Sequence, residues 1–138
     1  MISEIKNRVR KWLTDEEVYN SEAKDDNAHF NFAAKYQNIT FHVFQPLNKE
    51  DAILFVCSLD LNREQKERIT RIEKSELYQK LLSTDSLFEL HPNINNLENI
   101  RIQDFIYYDG LTKNEFMKTI FKLLKTVQMV NSFIQPSA

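Results

Sequence analysis

The residue types that most often carry chemistry are sparse in this chain and stand far apart. Its three histidines are His29, His42 and His91, and its one cysteine is Cys57. A metal site needs several convergent ligands, and one cysteine can form neither an intramolecular disulfide nor a Cys-x-x-Cys redox pair. His29 and His42 fall on the outer face of one predicted hairpin, with no third ligand evident beside them. The sequence therefore predicts no metal site.

The single glycine, Gly110, excludes a second class of chemistry. The phosphate-binding motif G-x-G-x-x-G and the P-loop need two or three glycines, so that backbone amides can approach a phosphate group. One glycine in 138 residues cannot supply either motif. The sequence gives no sign of a bound cofactor.

The segment Tyr107-Tyr108-Asp109-Gly110 carries the one acid–base hypothesis. Asp109 could act as a general acid or base where a strand leads into a helix. An Asp-Gly pair is also ordinary turn chemistry, and one tyrosine on each face of a strand is ordinary packing. The residues favour the structural role. An enzyme or small-ligand site near Tyr107, Tyr108 and Asp109 stays open as an alternative.

The charge of the chain argues against two classes of partner. The formal net charge is -2, and neither half of the chain is polybasic, so nucleic acid is not favoured. A nucleic-acid regulator that uses Lys118, Lys122 and Lys125 stays open as a further alternative. The longest apolar run, Ala52 to Cys57, is far shorter than the roughly 20 residues that cross a bilayer. We expect no membrane partner and, because the first residues hold no apolar signal, a cytoplasmic location.

An alternation of apolar and polar residues predicts a β-hairpin. The period is two from Ala28 to Tyr36 and again from Ile39 to Phe44, with a two-residue turn at Gln37-Asn38. A slip of one residue would destroy the apolar match on one face, so the register is well specified. Phe44 then stands beside His42 on the polar face, where an aromatic ring can mark a protein interface. The expected opposite pairs are Tyr36–Ile39, Ala34–Phe41, Phe32–Val43, Ala33–His42 and His29–Pro46.

The other segments predict helices on either side of a buried strand. The run 52–57 does not alternate, which is typical of a strand covered on both faces, and Cys57 in it is expected to be a small buried hydrophobe. Capping-box patterns start helices at Asn62 and Thr112. The further expected elements are a helix to about residue 15, an edge strand at 17–23, a helical turn at 84–90, a loop at 93–99, a strand from 100, and a last helix ending near residue 134.

This order of elements, α-β-β-β-β-α-β-α, indicates an α+β fold. We expect a twisted antiparallel sheet of about five strands with helices packed against it. The length fits a single domain over residues 1–138.

Three segments resemble a family of small archaeal proteins of unknown function. They are Trp12-Leu13 followed by Asp15-Glu16-Glu17, Val43-Phe44-Gln45-Pro46, and Tyr107-Tyr108-Asp109-Gly110-Leu111-Thr112. The resemblance spans almost the whole chain. It implies an architecture similar to the bacterial type III secretion chaperones, which are small acidic cytoplasmic homodimers that bind extended segments of partner proteins and have no catalytic residues.

The residues and the resemblance together favour a non-enzymatic, chaperone-like protein-binding module. We expect a homodimer with a protein or peptide client, and no catalytic residues. The candidate binding residues are His42, Phe44, Tyr107, Tyr108 and Asp109.

Overall fold

The computed structural model describes residues 2–49, 51–71 and 74–135. Its strands form one six-stranded antiparallel sheet in the order β1-β2-β3-β4-β6-β5. The predicted α+β class, with helices packed on an antiparallel sheet, is confirmed. In chain order the elements are α1 (Ile2–Asp15), β1 (Tyr19–Glu22), β2 (Ala28–Tyr36), β3 (Ile39–Pro46), β4 (Ala52–Asp60), α2 (Arg63–Arg71), α3 (Lys74–Leu82), β5 (Leu87–Asn93), β6 (Asn96–Tyr107), a 3₁₀ turn (Tyr108–Gly110) and α4 (Lys113–Ile134).

The chain folds as two compact units. Unit 1 comprises Met1–Val56 and Asp104–Ile120, and unit 2 comprises Cys57–Gln103 and Phe121–Ala138. The strands β4 and β6 and the helix α4 each contribute residues to both. The single domain expected over residues 1–138 stays a prediction. Within the described ranges, no helix has the length and hydropathy that crossing a membrane requires.

The hairpin of β2 and β3 organises unit 1 and has the predicted register. Tyr36 lies opposite Ile39, and the other apolar pairs follow as expected. Gln37 and Asn38 have φ angles of 48° and 68°. Positive φ at both central residues defines a type I′ turn, whose twist matches that of the flanking strands.

One expected pair of this hairpin is wrong. Pro46 lies opposite Ala28 rather than His29, because the register shifts between Ala28 and Phe30. Such a β-bulge leaves its extra residue without a partner on the neighbouring strand. His29 is that residue, and its side chain is exposed.

The core of unit 1 lies between α1, the start of α4 and one face of the sheet. Helix α1 buries Ile5, Val9 and Leu13, as its spacing predicts. The ring of Phe116 at the start of α4 lies 5.2 Å from those of Trp12 and Phe55. The sheet residues that complete this core are Phe30, Phe32, Ala34, Phe41, Val43, Ile53 and Phe55, all of them buried.

Charged side chains hold α1 to the edge strand β1. Lys6 Nζ lies 2.7 Å and Arg10 Nη2 3.2 Å from the carboxylate of Glu22. The hydrogen bond from Lys6 and the nearby charges of both cations keep the pKa of Glu22 below its usual value. The guanidinium of Arg10 also lies over the ring of Phe32, 5.4 Å from its centroid. These contacts confirm the expected edge strand and anchor it to the helix.

Unit 2 contains a strand that the sequence analysis missed. Residues 84–90 do not form a helical turn, because Leu87–Asn93 is the edge strand β5. The expected loop at 93–99 is a tight turn instead, since Asn93 pairs with Asn96 as β6 begins. The side chain of Asn93 accepts hydrogen bonds from the backbone amides of Asn95 and Asn96. The sheet therefore has six strands rather than about five.

The two predicted helix starts behave as expected. Asn62 Oδ1 accepts the amide of Gln65, and Gln65 Oε1 accepts the amide of Asn62, which is a full capping box. Thr112 Oγ1 accepts the amide of Glu115 at the start of α4. The side chains of α4 expected to face inward are all buried: Phe116, Ile120, Leu123, Leu124, Val127 and Ile134.

The turn that contains Gly110 does not require a glycine. Its φ angle is not positive, and no heavy atom lies within 4 Å of the position that a Cβ would take. An alanine there would meet neither backbone strain nor a clash.

We therefore expect Gly110→Ala to stabilise the protein. The substitution restricts the unfolded chain, which raises the free energy of unfolding by about 0.4–1 kcal/mol at a compatible site. Urea denaturation of the two proteins would measure this change. A loss of stability would show that the turn does use the freedom of glycine.

Candidate functional site

One face of the unit 1 sheet lies opposite the core, and we call it the outer face. Successive residues of a strand point to opposite sides, so the neighbours of core residues point outward. Asn31 on β2 lies opposite Phe44 on β3, and Phe44 lies opposite Leu54 on β4. The three side chains are all half-buried. Phe44 therefore stands inside a row that crosses the sheet.

The strand β6 extends this row. The amide of Tyr108 donates to the carbonyl of Asp51 over 2.8 Å, which aligns the end of β6 with the start of β4. In a regular antiparallel ladder this register sets Phe105 opposite Leu54. The row Asn31, Phe44, Leu54 and Phe105 therefore crosses four strands, which is roughly 14 Å.

Phe105 and Tyr107 form an exposed aromatic corner at the end of this row. Their ring centroids are 5.3 Å apart and the ring planes meet at 81°. The side chains of Phe105 and Tyr107 are 42% and 51% exposed. Two large rings at this exposure belong to a surface that a partner can cover.

A relay of hydrogen bonds orients His42 on the same face. Asn31 Nδ2 donates to Asp25 Oδ2 over 3.0 Å, which leaves Asn31 Oδ1 as an acceptor, 2.9 Å from His42 Nδ1. The neutral imidazole therefore carries its proton on Nδ1 and presents the lone pair of Nε2. The hydrogen bonds from the side chain of Asn31 and the amide of Asn27, and the charge of His42 in its protonated form, lower the pKa of Asp25. This arrangement can accept a hydrogen bond from a partner.

Tyr108 faces a different neighbour from Tyr107. Its hydroxyl donates to Oε1 of Gln45, and Gln45 Nε2 donates to the carbonyl of Lys49 over 3.2 Å. Gln45 is fully buried. Burial and then the negative charge of Asp51 raise the pKa of Tyr108 to about 12. Tyr108 closes the core of unit 1 at the strand ends and is not part of the outer face.

The acid–base hypothesis gains no support from the surroundings of Asp109. Its side chain is exposed in the 3₁₀ turn of Tyr108–Gly110. One cleft among the described residues lies in unit 2, with a volume of about 290 Å³ and a lining of Glu76, Gln79, Lys80, Ser83 and Phe133. It contains none of the predicted site residues.

Lys118 and Cys57 have ordinary surroundings. Lys118 Nζ lies 3.5 Å from Glu115, one turn earlier on the helix. Cys57 is buried in β4, and burial raises the pKa of its thiol to about 11. A thiol in this state is a poor nucleophile at neutral pH. In the described ranges, no group of three or more His, Cys, Asp and Glu side chains could hold a metal ion.

Three of the five predicted binding residues share the outer face. His42, Phe44 and Tyr107 lie on it, Tyr108 turns to Gln45, and Asp109 follows in the turn. Sequence reasoning missed Phe105, which it placed in an undivided apolar run. The available signal was the period of two in Ile100, Ile102 and Asp104, which sets Phe105 on the opposite side.

The fold has relatives among solved structures and sequence families. Residues 5–134 match a family described as an uncharacterized conserved protein, DUF2299. An uncharacterized protein from Methanothermobacter thermautotrophicus has a similar structure, with a TM-score of 0.85 and 25% identity over 94% of this chain and 96% of that one. YbjN from E. coli, described as a proposed transcription regulator, has a TM-score of 0.58 and 16% identity over 90% of this chain and 86% of its own, which is a likeness of fold. No curated protein sequence matches the chain significantly. The expected family of unknown function is confirmed, and one solved relative is archaeal.

Removing the Tyr108 hydroxyl tests its structural role. We expect Tyr108→Phe to cost about 1–3 kcal/mol in the free energy of unfolding, because buried Gln45 Oε1 loses its donor. The folded pKa lies above the unfolded one, so this tyrosine stabilises the fold below about pH 10 and less as the pH rises toward 12. Urea unfolding between neutral pH and pH 11 would measure both effects.

Tyr107→Phe is the matched control, because that side chain is half-exposed at the end of β6. It should leave the free energy of unfolding at neutral pH unchanged. Equal behaviour of Tyr108→Phe and wild type would remove the structural role of the Tyr108 hydroxyl.

The thiol of Cys57 should be unreactive in the folded protein. A raised pKa and burial leave very little accessible thiolate at pH 8, so a disulfide reagent such as dithionitrobenzoate should react slowly. The same protein in denaturant should react fast at the same pH. Rapid labelling of the native protein would instead point to an activated cysteine.

Proposed function

The chain belongs to the DUF2299 family of uncharacterized conserved proteins, and we propose that it is a non-enzymatic protein-binding module. The observation that carries this proposal is the outer face of unit 1, where apolar and aromatic side chains remain exposed beside an oriented histidine. Exposed apolar patches of this kind are typical of interaction sites.

The chemistry of the outer face supports binding rather than catalysis. Its row of Phe44, Leu54 and Phe105 offers apolar contact, and aromatic residues are enriched at protein interfaces. His42 Nε2 adds one directional acceptor. The described contacts of His42 include no hydroxyl or thiol that it could activate.

The oligomeric state and location complete the proposal. We assign to the protein a homodimer in the cytoplasm, with a chaperone-like architecture, on the resemblance carried by segments such as Val43-Phe44-Gln45-Pro46. The likeness to YbjN concerns the fold, so the regulator role described for that protein is not transferred.

Sedimentation velocity tests the homodimer. The chain has a mass of 16.4 kDa, and we expect a species of twice that mass at micromolar concentration. A monomer that persists at concentrations near millimolar would remove the homodimer from the proposal and leave the binding face to its own test.

A photo-crosslinking side chain at position 44 tests the binding face. We expect a defined protein adduct when the variant is made in its native cells, because Phe44 stands in the middle of the row. The same group at position 121 is the matched control, since Phe121 is also aromatic and 52% exposed but lies on α4. Equal adducts at both positions, or none at position 44, would contradict the proposal.

A further inference from the structure

The aromatic corner of Phe105 and Tyr107 has the geometry of a cation site. The two rings are nearly perpendicular, at 81°, and both side chains are exposed, so their π faces are partly open to solvent. A cation within about 6 Å of a ring face is attracted by the negative π surface, and arginine is the commonest such cation in proteins. The corner is half-exposed, so a side chain from another molecule can reach it.

The corner lies at the acidic end of unit 1. The loops before β2 and after β3 are joined there by the hydrogen bond from the amide of Leu47 to the carbonyl of Asn27, 3.0 Å. The bond between Tyr108 and Asp51 joins β6 to β4 at the same end. Among the described residues of these loops, aspartates exceed lysines: Asp25, Asp26, Asp51 and Asp109 against Lys24 and Lys49.

Two of these aspartates adjoin the corner in the chain or in the sheet. Asp109 follows Tyr107 by two residues, a Cα separation of at most about 7.6 Å. Asp51 adjoins Ala52, the residue that the β4–β6 register sets opposite Tyr107. The Cα atoms of both aspartates therefore lie close to that of Tyr107, and because the Debye length at physiological salt is roughly 8 Å, charges in these positions are only partly screened from the corner.

We propose that the outer face binds a segment of a partner protein that is both apolar and basic, with an arginine or lysine of that segment in the corner of Phe105 and Tyr107. The inference rests on the proposed function and names the chemistry of its partner. Apolar residues of the segment cover Phe44 and Leu54, while the cation meets the two rings and the field of Asp51 and Asp109.

The charge of the surface selects this occupant over two others. An acidic segment would place its carboxylates beside Asp51 and Asp109, and like charges in proximity oppose binding. A second copy of the chain fits less well, because it carries the same net charge of -2 and the same excess of aspartates at this end.

Fluorescence anisotropy with three labelled octapeptides tests the proposal on the full chain. The peptides alternate leucine with arginine, with serine or with glutamate. We expect the arginine peptide to bind about ten-fold tighter than the glutamate peptide at low salt, with the serine peptide between them. The difference should shrink as the ionic strength rises from roughly 0.05 to 0.5 M.

Variants with matched controls locate the site. Phe105→Ala and Tyr107→Ala should each weaken binding of the arginine peptide by about three-fold or more, and Tyr107→Phe should keep it. Phe121→Ala, an exposed aromatic on α4, should have no effect. Asp51→Asn with Asp109→Asn should reduce the preference for the arginine peptide, whereas Asp85→Asn in unit 2 should not. Circular dichroism would verify that each variant is folded.

Three results would overturn the inference in different ways. If all three peptides bind equally well and Phe105→Ala abolishes their binding, the face binds protein segments but has no preference for a cation. No peptide binding, together with a dimer that Phe105→Ala converts to monomer, would assign the face to a second copy. If the protein prefers the arginine peptide but Phe105→Ala and Tyr107→Ala have no effect, the cation binds elsewhere. That result would refute the corner as the cation site.

Discussion

The pairing of β2 with β3 determines which side chains unit 1 buries and which it presents. Because side chains alternate across a strand, the register that sets Phe32 against Val43 in the core also sets Asn31 against Phe44 outside it. The type I′ turn at Gln37 and Asn38 holds that register with the twist of the strands. The position of Phe44 on the outer face and the orientation of His42 by Asn31 follow from this one alignment.

The hairpin was predictable because its information is local. Two residues separate the strands, and every apolar position finds an apolar partner in only one register. The strand β5 could not be predicted in this way, since Leu87, Phe88 and Leu90 fit one turn of a helix as well as a half-buried strand. Their strand conformation depends on pairing with β6, where Phe88 meets Ile102 and Leu90 meets Ile100. The strand β6, which follows later in the chain, therefore decides that residues 87–93 form a strand. The turn at Asn93 that brings β6 beside β5 has the sequence of an ordinary asparagine-rich loop.

The outer face shows the same division between local and distant information. Phe44 could be singled out because it interrupts the polar side of a clear alternation. Phe105 could not, because its exposure depends on where β6 lies in the sheet. Gly110 shows the reverse case. Glycine is the residue type that turns with a positive φ favour, yet the backbone conformation at Gly110 is open to any residue.

The two edges of the sheet bear on how a partner can attach. An open edge invites strand addition, and proteins oppose it with short, charged or proline-containing edge strands. The edge strand β1 has four residues and a glutamate held by Lys6 and Arg10, and the edge strand β5 contains Pro92, which has no amide to donate. Backbone pairing is therefore disfavoured at both edges. A partner is therefore better recognised by the side chains of the outer face than by backbone hydrogen bonds at an edge of the sheet.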